Sequence, residues 1–367
     1  MVKILFVFGT RPEAVKLCPL AKVLRERGFD VGVCLSGQHR DLVRGVLDLF
    51  GISPDYDLGI MTESQTPSGI MERVAEGLEG VIADARPDAA VVQGDTSTAS
   101  AAALVYFLSR IPVFHVEAGL RSGDLYSPFP EEYNRRLITI SSSLHFCPTQ
   151  GALKNLLDEG VPEENCFVTG NTGLDAFAFT ERLGQTFELP DAAEGRKIIL
   201  LTSHRREVRG ERQRRMMLAV RRVLDVRSDC FAVIPVHPDP SLKALFGEIF
   251  GGCENALLTP PLGLASMHSL VRAADICVTD SGGLQEECAF AGTPCVVIRD
   301  VTERTEGIAE GIAVLAGTDP QRIETELVRA LDAGCPRLPR SFVYGDGRAS
   351  ERIAEVLETR FGKQKHS

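Results

Sequence analysis

The sequence predicts an α/β protein made of two Rossmann-like domains, each with a parallel sheet covered by helices. Three observations predict this fold class. Short apolar runs alternate with amphipathic stretches of helical length, which is the βαβ pattern. The alternation is interrupted once by a polar segment and then resumes. The chain of 367 residues is also long enough to bury two separate cores.

The domain boundaries follow from that interruption. A polar stretch at residues 181–197 contains Gly and Pro and lies just past the junction, so we place the boundary near Asn171. We predict an N-terminal domain at residues 1–170 and a C-terminal domain at residues 171–346. The last segment, residues 347–367, should form a helix that could pack back on the N-terminal domain.

The predicted strands of the first domain are uninterrupted apolar runs. Parallel strands are buried on both faces, so they read as continuous apolar segments and not as alternating ones. Five such runs precede the junction, at residues 2–8, 30–36, 89–94, 111–116 and 143–148. Amphipathic stretches between them, such as residues 12–27 and 96–110, supply the crossover helices.

The same pattern returns in the second domain. Five further apolar runs lie at residues 197–202, 230–236, 274–279, 294–299 and 312–317. They are again separated by stretches of helical length. This repetition predicts a second parallel sheet of the same kind.

Composition excludes several kinds of partner. Lys and Arg number 40 against 50 Asp and Glu, a net charge of −10, which disfavours binding to DNA or RNA. No apolar run reaches the roughly 18 residues of a membrane span, so no membrane partner is expected, and the N-terminal run is too short for a signal peptide. The ten cysteines form no C-x-x-C pair. We therefore predict reduced core thiols in a cytoplasmic protein, with neither zinc nor disulfides.

Acidic residues crowd the ends of two predicted strands in the first domain. Residues 115–136 begin in an apolar strand, and Glu117, Glu131 and Glu132 follow where open α/β sheets bind ligands. Asp95 ends the preceding strand. Two ordinary alternatives remain, because an aspartate can cap the next helix and both later glutamates could pair with arginines four residues on. As a group, the acids predict an active site.

Cations follow the first strand. Thr10 and Glu13 fit a capping box and need no functional explanation. Arg11 and Lys16 add positive charge to a helix N-terminus, where unpaired N–H groups already favour an anion such as a diphosphate. Alternatively, both are surface cations and Lys16 pairs with Glu13.

The second domain carries its own candidate anion site. Gly282 and Gly283 lie at a strand-to-helix turn, where a ligand can approach bare backbone amides. Glu287, one turn later, could accept hydrogen bonds from a ribose diol. His204 and Arg304 also follow predicted strands. Neither G-x-G-x-x-G nor a P-loop motif occurs, which disfavours a nicotinamide-dependent or an ATP-hydrolysing enzyme.

Taken in order, the motifs resemble those of the non-hydrolysing UDP-N-acetylglucosamine 2-epimerases over about residues 3–350. They include GTRPEAVK, QGDTSTA, HVEAGLRSGDLYSPFPEEYNR, TGNTGLDA, TDSGGLQEE, RDVTERTEG and YGDG. The resemblance implies a fold like that of the GT-B glycosyltransferases, with the active site in the cleft between a first domain and a UDP-binding second domain. It also implies a homodimer that interconverts UDP-GlcNAc and UDP-ManNAc without NAD, metal or other cofactor. The product would feed polysaccharide biosynthesis.

The resemblance gives matching residues specific roles. It implies catalytic roles for Asp95, Glu117, Glu131 and His204. It implies UDP-sugar binding by Arg11, Lys16, Met267, Ser281, Gly282, Gly283, Glu287 and Arg304. It implies an allosteric UDP-GlcNAc site formed by Gln38, Gln65, Glu132, Arg205 and His237.

Three positions depart from the family pattern. Ser64 stands where some members have an arginine beside the allosteric glutamine, and Thr305 stands where many have proline. Met267 stands where an aromatic side chain usually contacts the uracil. These departures bear on activation by UDP-GlcNAc and on the preference for uracil.

The implied reaction is elimination of UDP to 2-acetamidoglucal, followed by re-addition. Two other enzymes fit the same sequence: a 2-epimerase of a modified UDP-sugar of the diacetamido-uronate type, and a GT-B glycosyltransferase. A UDP-sugar sensor without turnover is a further alternative, although clustered carboxylates disfavour it.

Overall fold

The computed structural model describes residues 1–37, 40–62 and 65–364. The chain forms two compact units. The first comprises Met1–Ala176 together with the chain from Gly345 onward, and the second comprises Phe177–Tyr344. Each unit has its own parallel sheet with helices, which confirms the predicted fold class.

The first unit contains a seven-stranded sheet in the order β3-β2-β1-β4-β5-β6-β7. Every neighbouring pair of strands is parallel. The strands are β1 Lys3–Phe8, β2 Asp30–Leu35, β3 Tyr56–Asp57, β4 Ala89–Gln93, β5 Val113–Val116, β6 Leu144–Cys147 and β7 Cys166–Val168. All five apolar runs predicted here form strands. β3 and β7 are the additional ones.

Helices cover this sheet and close its core. They are α1 Arg11–Glu26, α2 Arg40–Phe50, α3 Pro67–Ala85, α4 Ser97–Leu108, α5 Glu131–Ser141 and α6 Gln150–Asp158. Helix α7, Thr172–Arg182, begins in this unit and continues into the second. The central strands are buried along most of their length, and Leu5, Val7 and Val92 have no exposed surface. Burial of apolar surface on this scale is the main stabilising contribution to such a unit.

The second unit repeats the arrangement with a six-stranded parallel sheet in the order β10-β9-β8-β11-β12-β13. Its strands are β8 Lys197–Thr202, β9 Cys230–Pro235, β10 Ala256–Thr259, β11 Ile276–Thr279, β12 Cys295–Val297 and β13 Ala313–Leu315. Its helices are α8 Glu211–Val226, α9 Pro240–Phe250, α10 Leu264–Ala273, α11 Gly282–Ala291, α12 Thr305–Ala309 and α13 Pro320–Asp332.

The last helix, α14 Ala349–Gln364, belongs to the first unit and packs against α1. Its start is fixed by Asp175, whose carboxylate accepts hydrogen bonds from the N–H groups of Ala349 (3.0 Å) and Ser350 (2.6 Å). Among the helices that the structure describes, none is both long enough and apolar enough to span a bilayer.

Both sheets reverse their strand order at one point. In the first unit the reversal lies between β1 and β4, and in the second it lies between β8 and β11. In open α/β sheets, ligands bind outside the carboxyl ends of the strands at such a reversal. The fold therefore indicates one candidate site on each unit.

Candidate active site

In the first unit, Glu13 connects the two turns at the strand reversal. It is buried, and it accepts hydrogen bonds from Gly9 N–H (3.1 Å), Thr10 N–H (2.8 Å) and the Thr10 hydroxyl (2.7 Å). The Thr96 hydroxyl donates a fourth bond (2.7 Å) from the turn after β4. Burial raises the pKa of the Glu13 carboxyl, and these hydrogen bonds act against the rise. The predicted capping box is present, and Glu13 also joins α1 to α4.

Glu117 lies directly after β5 in an unusual backbone conformation. Its φ of +65° is left-handed, which is uncommon for a residue with a side chain and stores strain. Its carboxylate forms an ion pair with Lys16 and accepts a hydrogen bond from Gln93, the last residue of β4. Lys16 thus pairs with Glu117 and not with Glu13, the alternative that the sequence left open.

Asp95 is held by two residues of α5. Arg135 Nη2 and Nε lie 2.7 and 2.9 Å from Asp95 Oδ2, and Asn134 Nδ2 donates to the Asp95 carbonyl (2.8 Å). The alternative that Asp95 caps α4 is wrong, because the Thr96 side chain accepts the capping bond from Ala99 N–H. The Asp95 carboxylate is therefore placed by α5.

The two glutamates that open α5 have different environments. Glu131 is partly exposed and, four residues before Arg135, lies on the same face of the helix. Glu132 is fully buried and forms ion pairs with Arg135 (3.2 Å) and Arg136 (3.4 Å). The predicted Glu132–Arg136 pair is confirmed, and a regulatory role for Glu132 stays a prediction.

The structure thus brings the predicted residues of the first unit to one edge of its sheet. Asp95 and Glu117 follow the adjacent strands β4 and β5, and Arg11 and Lys16 lie in the first turns of α1 after β1. At this edge, Glu117 is paired with Lys16 and Asp95 with Arg135. Such an arrangement suits proton transfer next to a leaving anion.

In the second unit, α11 begins at the strand reversal. Ser281 caps it, accepting a bond from Leu284 N–H (3.5 Å). A Cβ on Gly282 would lie 2.9 Å from Arg304 Cζ, so glycine at this position makes room for the guanidinium. Arg304 is buried and pairs with Glu286 (2.9 Å). A helix N-terminus and a fixed guanidinium together suit an anion.

Asp280, which the sequence did not single out, organises the opposite side of this site. It is fully buried, and its Oδ2 accepts bonds from the Ser203 hydroxyl (2.9 Å), His204 N–H (2.8 Å) and Arg205 N–H (3.0 Å). Arg205 Nε also donates to the Asp280 carbonyl (3.0 Å). One carboxylate therefore fixes the loop after β8 against the end of β11. The sequence signal that could have identified Asp280 is its position as a polar residue between a buried strand and the Gly282-Gly283 pair.

His204 extends from that loop and is half-exposed. Its Nδ1 lies 3.4 Å from Asp280 Oδ1, and its ring stacks parallel to that of His237 at 5.9 Å. The structure therefore brings together His204, Arg205 and His237. Of the other residues predicted for regulation, Gln65 donates to the Ile60 carbonyl (3.2 Å) in the first unit, while Gln38, like Ser64, lies outside the described residues.

Arg299 is a second residue that the sequence analysis missed. It follows β12, is largely buried, and pairs with Glu303 (3.2 Å). Burial lowers the pKa of the Arg299 guanidinium, and the nearby charges of Arg205 and Arg304 lower it further. Three arginines this close together generate the positive potential that a diphosphate would neutralise.

His268 on α10 and Glu287 on α11 approach each other where the two helices pack. His268 follows Met267 on α10, and its Nε2 lies 3.5 Å from Glu287 Oε1. The other ring nitrogen of His268 is hydrogen-bonded to the Thr180 hydroxyl (2.7 Å). Met267, the neighbour of His268 in the sequence, is partly buried. An apolar side chain on α10 and a carboxylate on α11 suit a nucleoside, with the base on the former and the ribose on the latter.

The fold and the candidate site together define a class of protein. Two doubly wound α/β units, with a diphosphate-type anion site on one and a carboxylate cluster on the other, are typical of enzymes that act on nucleotide sugars. A glycosyltransferase of kitacinnamycin shares the fold at a TM-score of 0.63 and 14% identity, covering 97% of this chain and 98% of that one. The predicted GT-B-like fold is thereby confirmed.

Sequence comparison identifies the family. The family described as UDP-N-acetylglucosamine 2-epimerase matches residues 21–358. The UDP-N-acetylglucosamine 2-epimerase of Bacillus subtilis is 42% identical over 99% of this chain and 97% of its own. The UDP-GlcNAc 2-epimerase of Neisseria meningitidis, solved bound to UDP-GlcNAc, is 37% identical with a TM-score of 0.92, covering 98% of this chain and 100% of that one. The chain belongs to the UDP-N-acetylglucosamine 2-epimerase family.

Proposed function

We propose that the protein interconverts UDP-GlcNAc and UDP-ManNAc by inverting the configuration at C2 of the sugar. The observation that carries this proposal is Glu117, an acid in a strained left-handed conformation whose carboxylate is held by Lys16 and Gln93. An acid and a cation in contact at the carboxyl end of a parallel sheet suit a reaction in which a proton and an anion leave the same substrate. Family membership supports the choice of substrate.

The second unit is proposed to hold the UDP. The diphosphate would accept hydrogen bonds from the N-terminal amides of α11, beside Arg304, because a helix N-terminus and a guanidinium both stabilise negative charge. His204 would donate to the same diphosphate as it departs from the sugar. Glu287 would bind the ribose diol, and Met267 would cover one face of the base.

The chemistry requires UDP to leave during the reaction. The hydrogen at C2 is not acidic, because C1 of the sugar is an acetal carbon and has no carbonyl to stabilise a carbanion. We propose that UDP departs from C1 as C2 loses its proton, which forms 2-acetamidoglucal. A proton then returns to the opposite face of C2, and UDP adds back to C1. Every atom of the substrate is recovered, so no cofactor is consumed.

Three acids of the first unit are proposed to carry these proton transfers. Inversion needs a base on one face of the sugar ring and an acid on the other, so at least two groups must act. Asp95, Glu117 and Glu131 occupy one sheet edge and are fixed by strand ends and by α5. A positioned acid or base typically contributes roughly 10²–10⁴-fold to a rate.

An apolar surface on the first unit supports the proposal of a homodimer. The adjacent helices α4 and α5 expose large apolar side chains, namely Leu104, Phe107, Leu108, Tyr133 and Ile140. Contiguous exposed apolar surface of this kind marks protein–protein contacts. The Phe107→Glu variant should therefore be a monomer in size-exclusion chromatography with light-scattering detection. The control variant Val226→Glu, which changes an exposed apolar residue of the other unit, should keep the mass of the wild type. A monomeric wild-type protein would contradict the proposal.

The chemistry of the ten cysteines supports a cytoplasmic location. All are free thiols, and nine of them are buried. Proteins of reducing compartments keep such thiols, whereas oxidising compartments favour disulfides.

Incubation with UDP-GlcNAc in D₂O, followed by NMR, tests the proposed reaction. We expect UDP-ManNAc to accumulate with deuterium at C2, because the returned proton comes from a group that exchanges with solvent. Free ManNAc with UDP would instead show a hydrolysing enzyme. Absence of any reaction from UDP-GlcNAc alone would favour a glycosyltransferase or a different UDP-sugar. UDP-ManNAc that retained the C2 hydrogen would rule out the elimination as proposed.

A further inference from the structure

Three cysteines of the second unit share one buried pocket beneath α11. Cys277 on β11 and Cys295 on β12 are direct partners in the parallel register, so their side chains lie on the same face of the sheet. Cys288, on α11, covers that face. The three sulfur atoms lie within 4.8 Å of one another. The chain thus gathers three thiols from three separate elements at one point.

The spacing of these sulfurs suits a three-coordinate ion. Bonds of about 2.3 Å to one central ion place three sulfurs at most about 4 Å apart, and closer around a pyramidal ion, which side-chain rotations would reach here. Zinc sites formed by protein alone take four ligands. Within the described part of the chain, this group of cysteines offers three ligand atoms. The geometry therefore favours a soft ion that is satisfied by three thiolates.

Burial further restricts the charge of that ion. Cys277 and Cys288 have no exposed surface, and Cys295 has 2%. A net charge placed in this pocket would cost several kcal/mol because water cannot solvate it. A ligand that replaces three thiol protons with three positive charges leaves the pocket neutral.

We propose that Cys277, Cys288 and Cys295 form a three-thiolate site for a soft trivalent ion, with arsenic(III) as the matching ligand. Arsenous acid, As(OH)₃, would react with the three thiols to give As(SR)₃ and three water molecules. Three As–O bonds break and three As–S bonds form, and each thiol proton leaves with a hydroxide. Arsenic keeps its oxidation state, so no oxidant or reductant takes part.

Arsenic bound at the three thiols should disturb the anion site, because α11 contributes residues to both sites. Cys288 directly follows Glu287, and Glu286 on the same turn holds Arg304. Bonds from Cys288 to both strands would pull this turn of the helix toward the sheet. This consequence rests on the proposed function, in which Glu287 and Arg304 bind UDP. A misplacement of about 1 Å can cost a site up to 10²-fold, so we expect UDP to bind at least tenfold more weakly to the loaded protein.

The test uses the full-length protein, reduced with a phosphine so that no competing dithiol is present, and incubated with arsenite. Intact-mass spectrometry should show one arsenic per chain with the loss of three protons. Binding should be slow, because the pocket must open first. The Cys288→Ala variant should lose the adduct. Cys295→Val should lose it as well, and because this variant keeps an apolar residue on the strand, it can replace Cys288→Ala if that variant folds poorly. The Cys230→Ala variant, which removes a fully buried thiol of the same sheet, should bind arsenic like the wild type.

Each outcome decides one part of the proposal. No adduct on the wild-type protein, or an undiminished adduct on both cluster variants, would overturn the site. An adduct with unchanged UDP affinity in calorimetric titration would overturn the coupling through α11. Failure of the unloaded protein to bind UDP would instead count against the proposed function and leave the arsenic site standing.

Discussion

The two units place opposite electrostatics at the same topological position. In the first unit, acids at the strand reversal are matched by side-chain cations, Lys16 with Glu117 and Arg135 with Asp95. In the second unit, the acid Asp280 is buried and accepts bonds mainly from the loop that it fixes. What remains around it is a helix N-terminus and several arginines. One edge suits proton transfer and the other suits an anion, although both follow the same strand order.

This difference shows that the fold fixes where a ligand binds and the strand-end residues decide what chemistry follows. Variants of the acids of the first unit should therefore change turnover, and variants at the start of α11 in the second unit should change UDP affinity.

The largest effect is expected from the acids of the first unit. Asp95→Asn, Glu117→Gln and Glu131→Gln should each fold normally and lower kcat by roughly 10²–10⁴-fold, because an amide can neither take nor return the proton. NMR of the UDP-GlcNAc reaction measures the rate. Asp158→Asn, an exposed acid of the same unit paired with Lys154, is the matched control and should stay near the wild-type rate. Near-normal rates in all three acid variants would contradict the assignment.

A smaller effect is expected at the start of α11. Gly282→Ala places a methyl group against Arg304 and must displace the guanidinium, so UDP should bind about 10–100-fold more weakly. Gly283→Ala meets no atom within 4 Å and should weaken UDP binding less. Calorimetric titration with UDP ranks the two variants. Equal losses would show that Arg304 does not act through its contact with Gly282.

Acid sensitivity is expected to arise in the first unit. His115 and His145 are register partners on β5 and β6, and burial lowers the pKa of His115 to about 3 and that of His145 to about 4. The unfolded chain takes up these protons near pH 6.5, well above the folded chain. The stability from each histidine is thus complete above pH 6.5 and is lost as the pH falls toward 4 and 3. At pH 5 each should lower the free energy of unfolding by about 2 kcal/mol.

Urea unfolding at pH 7 and pH 5 measures this loss, and His115→Gln supplies the comparison. The variant keeps a donor for the Gly94 carbonyl, which His115 Nε2 contacts at 2.8 Å. It should lose less stability than the wild type between the two pH values. Burial raises the pKa of Asp175 to about 6, which acts in the opposite direction but equally in both proteins. An identical pH dependence would contradict the role of His115.

The smallest effect is expected at Thr96, whose hydroxyl caps α4 and donates to Glu13. Thr96→Ala should lower the free energy of unfolding by about 1–2 kcal/mol and change turnover less than tenfold. Thr149→Ala is the matched control, because it removes only the cap of α6 in the same unit and no hydrogen bond to a carboxylate. It should lower the free energy of unfolding by about 1 kcal/mol. Equal losses would show that the bond to Glu13 adds nothing.

Local sequence patterns predicted most of the fold because buried parallel strands are continuous apolar runs. All ten predicted strands are present. Two of the three missed strands, β3 and β10, lack this signal, and the third, β7, has only three residues. β3 has two residues and is not buried, and β10 is partly exposed along its length at the edge of its sheet. Their pairing depends on neighbours that sequence pattern alone does not reveal.

The sequence predicted which candidate residues lie at the strand ends, but it did not predict which of them form ion pairs with each other. Lys16 and Glu117 are 101 positions apart, and Asp95 and Arg135 are 40 apart. Helical spacing favoured nearer partners, such as Glu13 for Lys16. Only the order of strands in the sheet brings these charges into contact. The role of Asp280 was hidden for the same reason, because its partners lie after β8.

The most direct test of the division between the units is calorimetric titration of UDP into Glu117→Gln and Gly282→Ala, measured side by side with the wild type. We predict that Glu117→Gln binds UDP within about twofold of the wild type while failing to turn over, and that Gly282→Ala loses at least tenfold in affinity. Loss of UDP binding in Glu117→Gln, together with normal binding in Gly282→Ala, would contradict the account.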